Sequence, residues 1–378
     1  MRCPQIRVDL NKLVENAQTL AALLAEHEMK FHYVTKCFCA WEPMLEVLAD
    51  AGIRDFADAR LENIELLKRW ARDSMLLRVP MISEADDVVC LCDSSLNSEL
   101  TAIKALSDAA LTLGKTHGVI LMVELGDLRE GVLPEDVMPT VEQILEMRGV
   151  KLIGLGVNFN CYGGVIPTPD KMIELSDLAK AAQERCGYEF DYVSGGNSGT
   201  LPLLLDDRMP ADCAVDHLRI GEAFLLGHET SYGRDIPGMR QDVFTLRCEV
   251  IEHKVKRSVP TGERGLNAFG EPPSDMEDRG MISRTIIAVG GQDTFPSSLV
   301  PRMEGLRYLG HYSSDHTIFD STNAAGEIHV GSTLDFDVDY KALLMIFMSK
   351  YVDKVAIKPG EQFTWTERSF KRTTAMMA

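Results

Sequence analysis

No apolar run in this 378-residue chain is long enough for a membrane span, and Met1-Arg2-Cys3-Pro4-Gln5 passes straight into a strand-like pattern without the apolar core of a secretory signal. Positive charge is scarce: 39 lysines and arginines face 57 aspartates and glutamates, a net charge of −18. That balance speaks against a nucleic-acid or anionic-membrane partner, both of which need positive surface, yet leaves room for a local basic pocket. The nine cysteines form no even framework, and Cys37/Cys39 and Cys90/Cys92, each pair one residue apart, do not match zinc spacing. The expectation is a cytoplasmic protein with reduced thiols and no metal centre.

What is present is an ordinary globular composition, 45% hydrophobic and 25% charged, in a chain long enough for two domains. Short β-like runs alternate with helical patterns over the first two-thirds. After a strand near Ile6–Leu10 and a helix through Asn11–Glu26, strands are predicted from Phe31, then near Asp55–Ala59, Met75–Val79, Val89–Ser94, Gly118–Leu125, Val150–Asn158, Glu189–Ser194 and Ala214–Ile220. Helical stretches such as Trp41–Asp50, Ser98–Leu113 and Pro169–Cys186 lie between them. Eight strands, most followed by a helix, predict an α/β fold with a (β/α)8 TIM-type barrel. After about Tyr232 the pattern turns to strands without helices, the mark of a C-terminal mostly-β domain. The predicted division is a barrel over 1–232, a β domain over 233–357 and a flexible tail over 358–378.

Three features carry chemistry. Phe31-His32-Tyr33-Val34-Thr35-Lys36 ends an apolar run on a lysine. A solvated strand-end lysine is the commoner case, but a desolvated one is a nucleophile toward an aldehyde, and barrel active sites lie at the strand carboxyl ends. Glycine turns follow the seventh and eighth strands, in Ser194-Gly195-Gly196-Asn197-Ser198-Gly199 and Arg219-Ile220-Gly221-Glu222. Glycines at helix starts let backbone N–H groups approach an anion, and this is the recurring phosphate position of such barrels. An aldehyde-reactive amine with a phosphate cradle points to pyridoxal phosphate.

These segments, with Met75-Leu76-Leu77-Arg78-Val79-Pro80, Asp127-Leu128-Arg129-Glu130-Gly131, Asn158-Phe159-Asn160-Cys161-Tyr162-Gly163 and Ser313-Ser314-Asp315-His316, resemble the alanine-racemase-like, fold-type III pyridoxal-phosphate enzymes from about Ile6 to about Val352. The resemblance implies that Lys36 holds pyridoxal 5'-phosphate and acts as a base on one face of the substrate α-carbon. It sets Arg219 against the pyridine nitrogen, and Gly196, Asn197, Ser198, Gly221 and Tyr340 around the phosphate. Asn160 stands where alanine racemases have a ring-contacting histidine. Arg129 falls near the substrate carboxylate, with Ser314 and Asp315 also placed at the substrate. A homodimer with shared active sites is implied.

The chain departs from the family at two further places. The family's second-domain tyrosine, the second base, corresponds to Gly291 in Val289-Gly290-Gly291-Gln292-Asp293. Two-base exchange calls for another group, with Asp293, His316, Tyr312 and Cys161 as candidates beside a one-base swing by Lys36 or a water. The family's tyrosine four residues after the lysine is Ala40, which suggests a roomier pocket. The expected function is racemisation of a small-molecule amino acid, ornithine foremost, its terminal amine met by an acid among Asp127, Glu130, Glu222, Asp293 and Asp315. A basic amino-acid decarboxylase of the same fold type and a non-catalytic pyridoxal-phosphate-binding regulator are the alternatives.

Overall fold

The computed structural model describes residues 2–267, 269–272 and 276–357. They form two compact units, one comprising residues 12–243 and 339–348, the other 2–11, 244–338 and 349–357. The expected tail over 358–378 lies outside the described residues.

The strands in chain order are β1 (Gln5–Asp9), β2 (Lys30–Val34), β3 (Asp55–Asp58), β4 (Asp73–Leu76), β5 (Ser94–Asn97), β6 (His117–Val123), β7 (Val150–Val157), β8 (Tyr192–Ser194) and β9 (His217–Ile220). β10 (Phe244–Arg257), β11 (Met281–Ile287), β12 (Leu299–Pro301), β13 (Arg307–Tyr312), β14 (Thr317–Asp320), β15 (Thr333–Val338) and β16 (Asp353–Ile357) follow.

In the first unit β2 to β9 close into a parallel barrel, as the eight-strand count predicts. β6 is buried along its whole length, as befits a parallel strand covered on both sides. The surrounding helices bury one stripe each. Leu100–Leu113 turns in Ala102, Ile103, Leu106 and Ala110, and stops where Gly114 takes φ 63°. Pro169–Cys186 opens on a proline, with the Thr168 hydroxyl capping the Lys171 amide. Inside the barrel, Val34, Ala57, Met75, Leu96, Ile120 and Met122 form an apolar layer.

One predicted strand is misplaced. Val89–Ser94 straddles the end of a helix, Ala85–Leu91, and β5 begins only at Ser94. The β-branched run reads as a strand, but Ala85, Val88 and Val89 share one helical face, and Asp86 and Asp87 sit in the first turn.

The second unit is a sheet in the order β12-β15-β10-β11-β14-β13, with β1 paired antiparallel to β10 and parallel to β16. The unit boundaries therefore differ from those read from the sequence. The first strand belongs to this sheet because its register runs along β10, and the barrel unit extends to Val243. A helix, Tyr340–Met348, interrupts the late strands and packs in the barrel unit, where the Phe347 ring lies 6.5 Å from that of Phe38. Among the described residues, no helix is long and apolar enough to cross a membrane.

Candidate active site

Lys36 opens a single 3₁₀ turn, Lys36–Phe38, directly after β2. Its position is fixed from behind. Thr35 is buried and its hydroxyl donates to Oδ2 of Asp58, 2.6 Å away on β3. Oδ1 of Asp58 accepts from the amides of Ala59 and Arg60 and from Nδ2 of Asn63. Beyond Lys36 the chain turns sharply, with Cys39 and Ala40 at φ 50° and 48°. Among the described residues, no side chain hydrogen-bonds or ion-pairs with the half-buried Lys36 ammonium.

That amine lines a cleft of about 180 Å³ in the barrel unit, shared with Arg129, Asn160, Ser198, Arg219, Gly221, Glu222 and Tyr340. Arg219 is buried on β9 and, among the described residues, has no carboxylate in contact. It donates Nη1 to Oγ of Ser194 and Nη2 to the carbonyl of Val157, the latter at 2.7 Å. Burial, with Arg129 adding, pushes the guanidinium down to about 10, so it remains a cation at neutral pH.

Ser198 and Gly221 sit at the start of a 3₁₀ turn and of the short helix Glu222–Leu226, where first-turn amides have no partner inside the helix. Space at Gly221 is tight, since a Cβ there would lie 3.2 Å from Cβ of Val34. The Tyr340 hydroxyl has no hydrogen-bond partner among the described residues, and burial, then Cys37 and Glu222, drives its pKa upward. The Gly199 and Ala223 amides are taken by Oδ1 of Asn197 and Oγ of Ser198, so it is the unpartnered amine, the Ser198 hydroxyl and the unpartnered phenol in one cleft that suit a molecule with an aldehyde and a phosphate.

Other sequence-predicted residues take plainer roles. Gly196 does not line the cleft; at φ 115° it turns the chain, and a Cβ would meet Oγ1 of Thr200 at 2.7 Å. Asn197 lines the cleft, but its side chain caps the amide of Gly199 and donates to the carbonyl of Phe159. Asn160, at φ 49°, donates to Oγ1 of Thr230. Arg129 pairs with Glu130 and donates to Sγ of Cys161 at 3.0 Å; burial opposes its charge, but Glu130 more than offsets that and holds its pKa up. Asp127 is buried under amides of Cys161, Tyr162 and Gly163, which makes it a loop brace rather than a reader of substrate. Ala40 is 1% exposed and does not line the cleft, so it does not widen it.

Asp293, Ser314, Asp315 and His316 all fall in the β unit. Asp293 is buried and its Oδ1 accepts from the Ser349 hydroxyl at 2.6 Å. The exposed turn Ser313–His316 is laced to the glycine segment through the amides of Gly291 and Gln292, which donate to the carbonyls of Ser313 and Ser314. Ser314 donates to Asp315, and His316 Nδ1 contacts Oγ of Ser313. A larger hollow of about 700 Å³ in this unit has Arg284, Arg307 and Tyr312 on its wall but no lysine.

Comparison with known proteins decides the family. Residues 8–228 match the model of the alanine racemase N-terminal domain. The chain belongs to the alanine racemase N-terminal domain family. Within it, the chain is 43% identical to the ornithine racemase of Acetoanaerobium sticklandii over 93% of its own length and 99% of that protein. It is 35% identical to the lysine racemase of Thermotoga maritima over 93% and 98% of the two chains. The fold matches the crystal structure of the alanine racemase of Bartonella henselae, which has covalently bound pyridoxal phosphate, with a TM-score of 0.70 at 18% identity over 94% of this chain and 100% of that one.

Reasoning from the sequence overlooked the Thr35–Asp58 brace and the polar side chains beneath the apolar layer, His32 and His217 among them. The two-residue period of β2 carried a signal for His32, which shares a face with Val34.

Proposed function

We propose that this protein is a pyridoxal-phosphate-dependent amino-acid racemase that interconverts L- and D-ornithine in the barrel cleft. The observation that carries the reading is the Lys36 amine, unpaired among the described residues, sharing one cleft with Ser198, Gly221 and Tyr340 and with an arginine that contacts no carboxylate among the described residues. Ornithine as substrate follows from the 43% identity to a racemase of that amino acid.

The cofactor, when bound, supplies an aldehyde for Lys36 and an electron-withdrawing ring that acidifies the substrate α-carbon. Ser198, Gly221 and Tyr340 would hold its phosphate. Arg219 would set a cation beside the ring nitrogen and disfavour a proton there, a setting that suits α-proton exchange. Lys36 Nζ takes and returns the α-proton on one face. Arg129 holds the substrate carboxylate. Glu222 reads the terminal amine. Its Oε1 contacts His228 at 3.2 Å, and Oε2 has no hydrogen bond among the described residues.

The second acid/base is Tyr312, supplied by the β unit of a second copy of the chain. Asp293 is buried and engaged with Ser349, and His316 is tied into its own turn. In a homodimer with shared sites, mixing inactive Lys36→Ala and Tyr312→Phe chains restores activity in the heterodimer; no restoration means each site is built from one copy.

Chiral chromatography over a panel of amino acids tests the substrate. D-ornithine accumulates fastest from its L-enantiomer; faster turnover of another amino acid, with no D-ornithine, refutes the assignment.

A further inference from the structure

Beneath the apolar layer of the barrel lies a hydrogen-bonded chain that the proposed mechanism does not use. From Arg219 it runs to Oγ of Ser194, then from Ser194 to Nδ1 of His217 at 2.7 Å. Nε2 of His217 meets Nδ1 of His32 at 2.8 Å, and Nε2 of His32 meets Oδ2 of Asp73 at 3.1 Å. Tyr192 closes the far end by donating to the same oxygen at 2.6 Å. Ser194, His217 and His32 are at most 2% exposed. The links cross four strands, β9, β8, β2 and β4, and register sets Ser194 opposite His217 and His32 opposite Arg219.

The direction of the chain follows from counting hydrogens. Arg219 has only donors, so Ser194 accepts from it. Oδ2 of Asp73 takes the Tyr192 hydroxyl hydrogen, so the carboxylate is the acceptor at the far end. If His32 gives its Nε2 hydrogen to Asp73 and is neutral, its Nδ1 accepts from Nε2–H of His217. Nδ1 of His217 then accepts the hydroxyl hydrogen of Ser194. Every hydrogen is placed. In the reverse arrangement Ser194 accepts from both Arg219 and His217, and its own buried hydrogen has no acceptor among the described residues, a costly omission. A charged His217 is opposed by burial, by His32, by Arg219 and by Lys30.

We infer that Ser194, His217, His32 and Asp73 form a one-directional positioning relay, which locks Ser194 as a neutral acceptor for Arg219 and so holds the guanidinium in place with its full charge. The inference rests on the reading that Arg219 faces the cofactor ring. A carboxylate in the place of Ser194 would hold Arg219 as firmly but would cancel its charge. The relay leaves the negative charge at Asp73, separated from Arg219 by two imidazoles and a hydroxyl.

Nitrogen NMR of the holoenzyme labelled at histidine reads the relay directly. Both His32 and His217 are expected as Nε2–H tautomers at about pH 8. An Nδ1–H tautomer or an imidazolium at either overturns the inference. Ser194→Ala is expected to lower kcat by about tenfold or more, with KM nearly unchanged, and to shift the visible absorbance of the bound cofactor, whereas Ser194→Thr retains both. Wild-type kcat and absorbance in Ser194→Ala would overturn a positioning role. Failure of the underlying reading looks different: Arg219→Gln would then leave the cofactor absorbance unchanged while the histidine tautomers stay as assigned.

Discussion

The ring of Tyr312 stands over Gly291. A Cβ built on Gly291 would lie 2.7 Å from Cε2 of Tyr312 and 3.0 Å from Cζ of Phe269, whose ring centroid is 5.2 Å from that of Tyr312. The position where relatives are expected to carry a tyrosine is thus filled across the sheet by another tyrosine, and the glycine makes room for it. Tyr312→Phe keeps the ring and removes the phenol, so kcat should fall by about a hundredfold or more with little change in thermal stability. Steady-state kinetics beside a melting curve checks this; wild-type kcat would remove Tyr312 from the chemistry. Gly291→Ala should lower kcat too, by displacing that ring.

Lys36 is expected to carry the cofactor. Borohydride reduction followed by peptide mass spectrometry should find the label on Lys36, and Lys36→Ala should lose both the label and racemisation. A label on another lysine would refute the assignment.

Glu222 tests substrate selection. Glu222→Gln removes a charged hydrogen-bond acceptor, which corresponds to about a tenfold to a hundredfold rise in KM for ornithine. Binding of norvaline, which lacks the terminal amine, should change little in competition assays. Equal effects on both ligands would mean that Glu222 supports the cleft rather than reading the amine.

Buried histidines should make the fold acid-sensitive. His117 lies in the barrel wall, its Nε2 at 2.8 Å from Oγ of Ser95, and burial pushes it down to about 4. An unfolded histidine titrates near 6.5, so it contributes no pH dependence well above that value. As pH falls from about 6.5 toward about 4, the unfolded chain binds a proton that the folded one refuses. Stability therefore drops, by about 2 kcal/mol from this group on going from pH 7 to pH 5. Urea unfolding at the two pH values should show the drop, and His117→Gln should reduce it.

Much of this was legible in the sequence. The eight strands and the carboxyl-end position of Lys36 followed from alternating runs and one lysine at a strand end, and the glycine turns at Gly196 and Gly221 marked the loops that open short helical segments. What stayed hidden depends on long-range pairing. β1 joins β10 across more than two hundred residues, and nothing local shows it. The helix from Tyr340 follows a strand run, and its one local signal is the cap at Asp339, whose Oδ1 accepts from the Ala342 amide; packing, Phe347 against Phe38, completes it. Ala40 looked like extra room near the lysine; its left-handed backbone takes it into the interior instead. The relay joins His32 and His217 across 185 residues, invisible until the barrel closes.

Proton NMR of L-ornithine incubated with the holoenzyme in deuterated water tests the central claim most directly. The α-proton signal should vanish while the carbon skeleton stays intact, and chiral analysis should end at equal amounts of the two enantiomers. With Lys36→Ala neither change should occur. An α-proton signal that persists, or a product that has lost its carboxylate, would contradict the account.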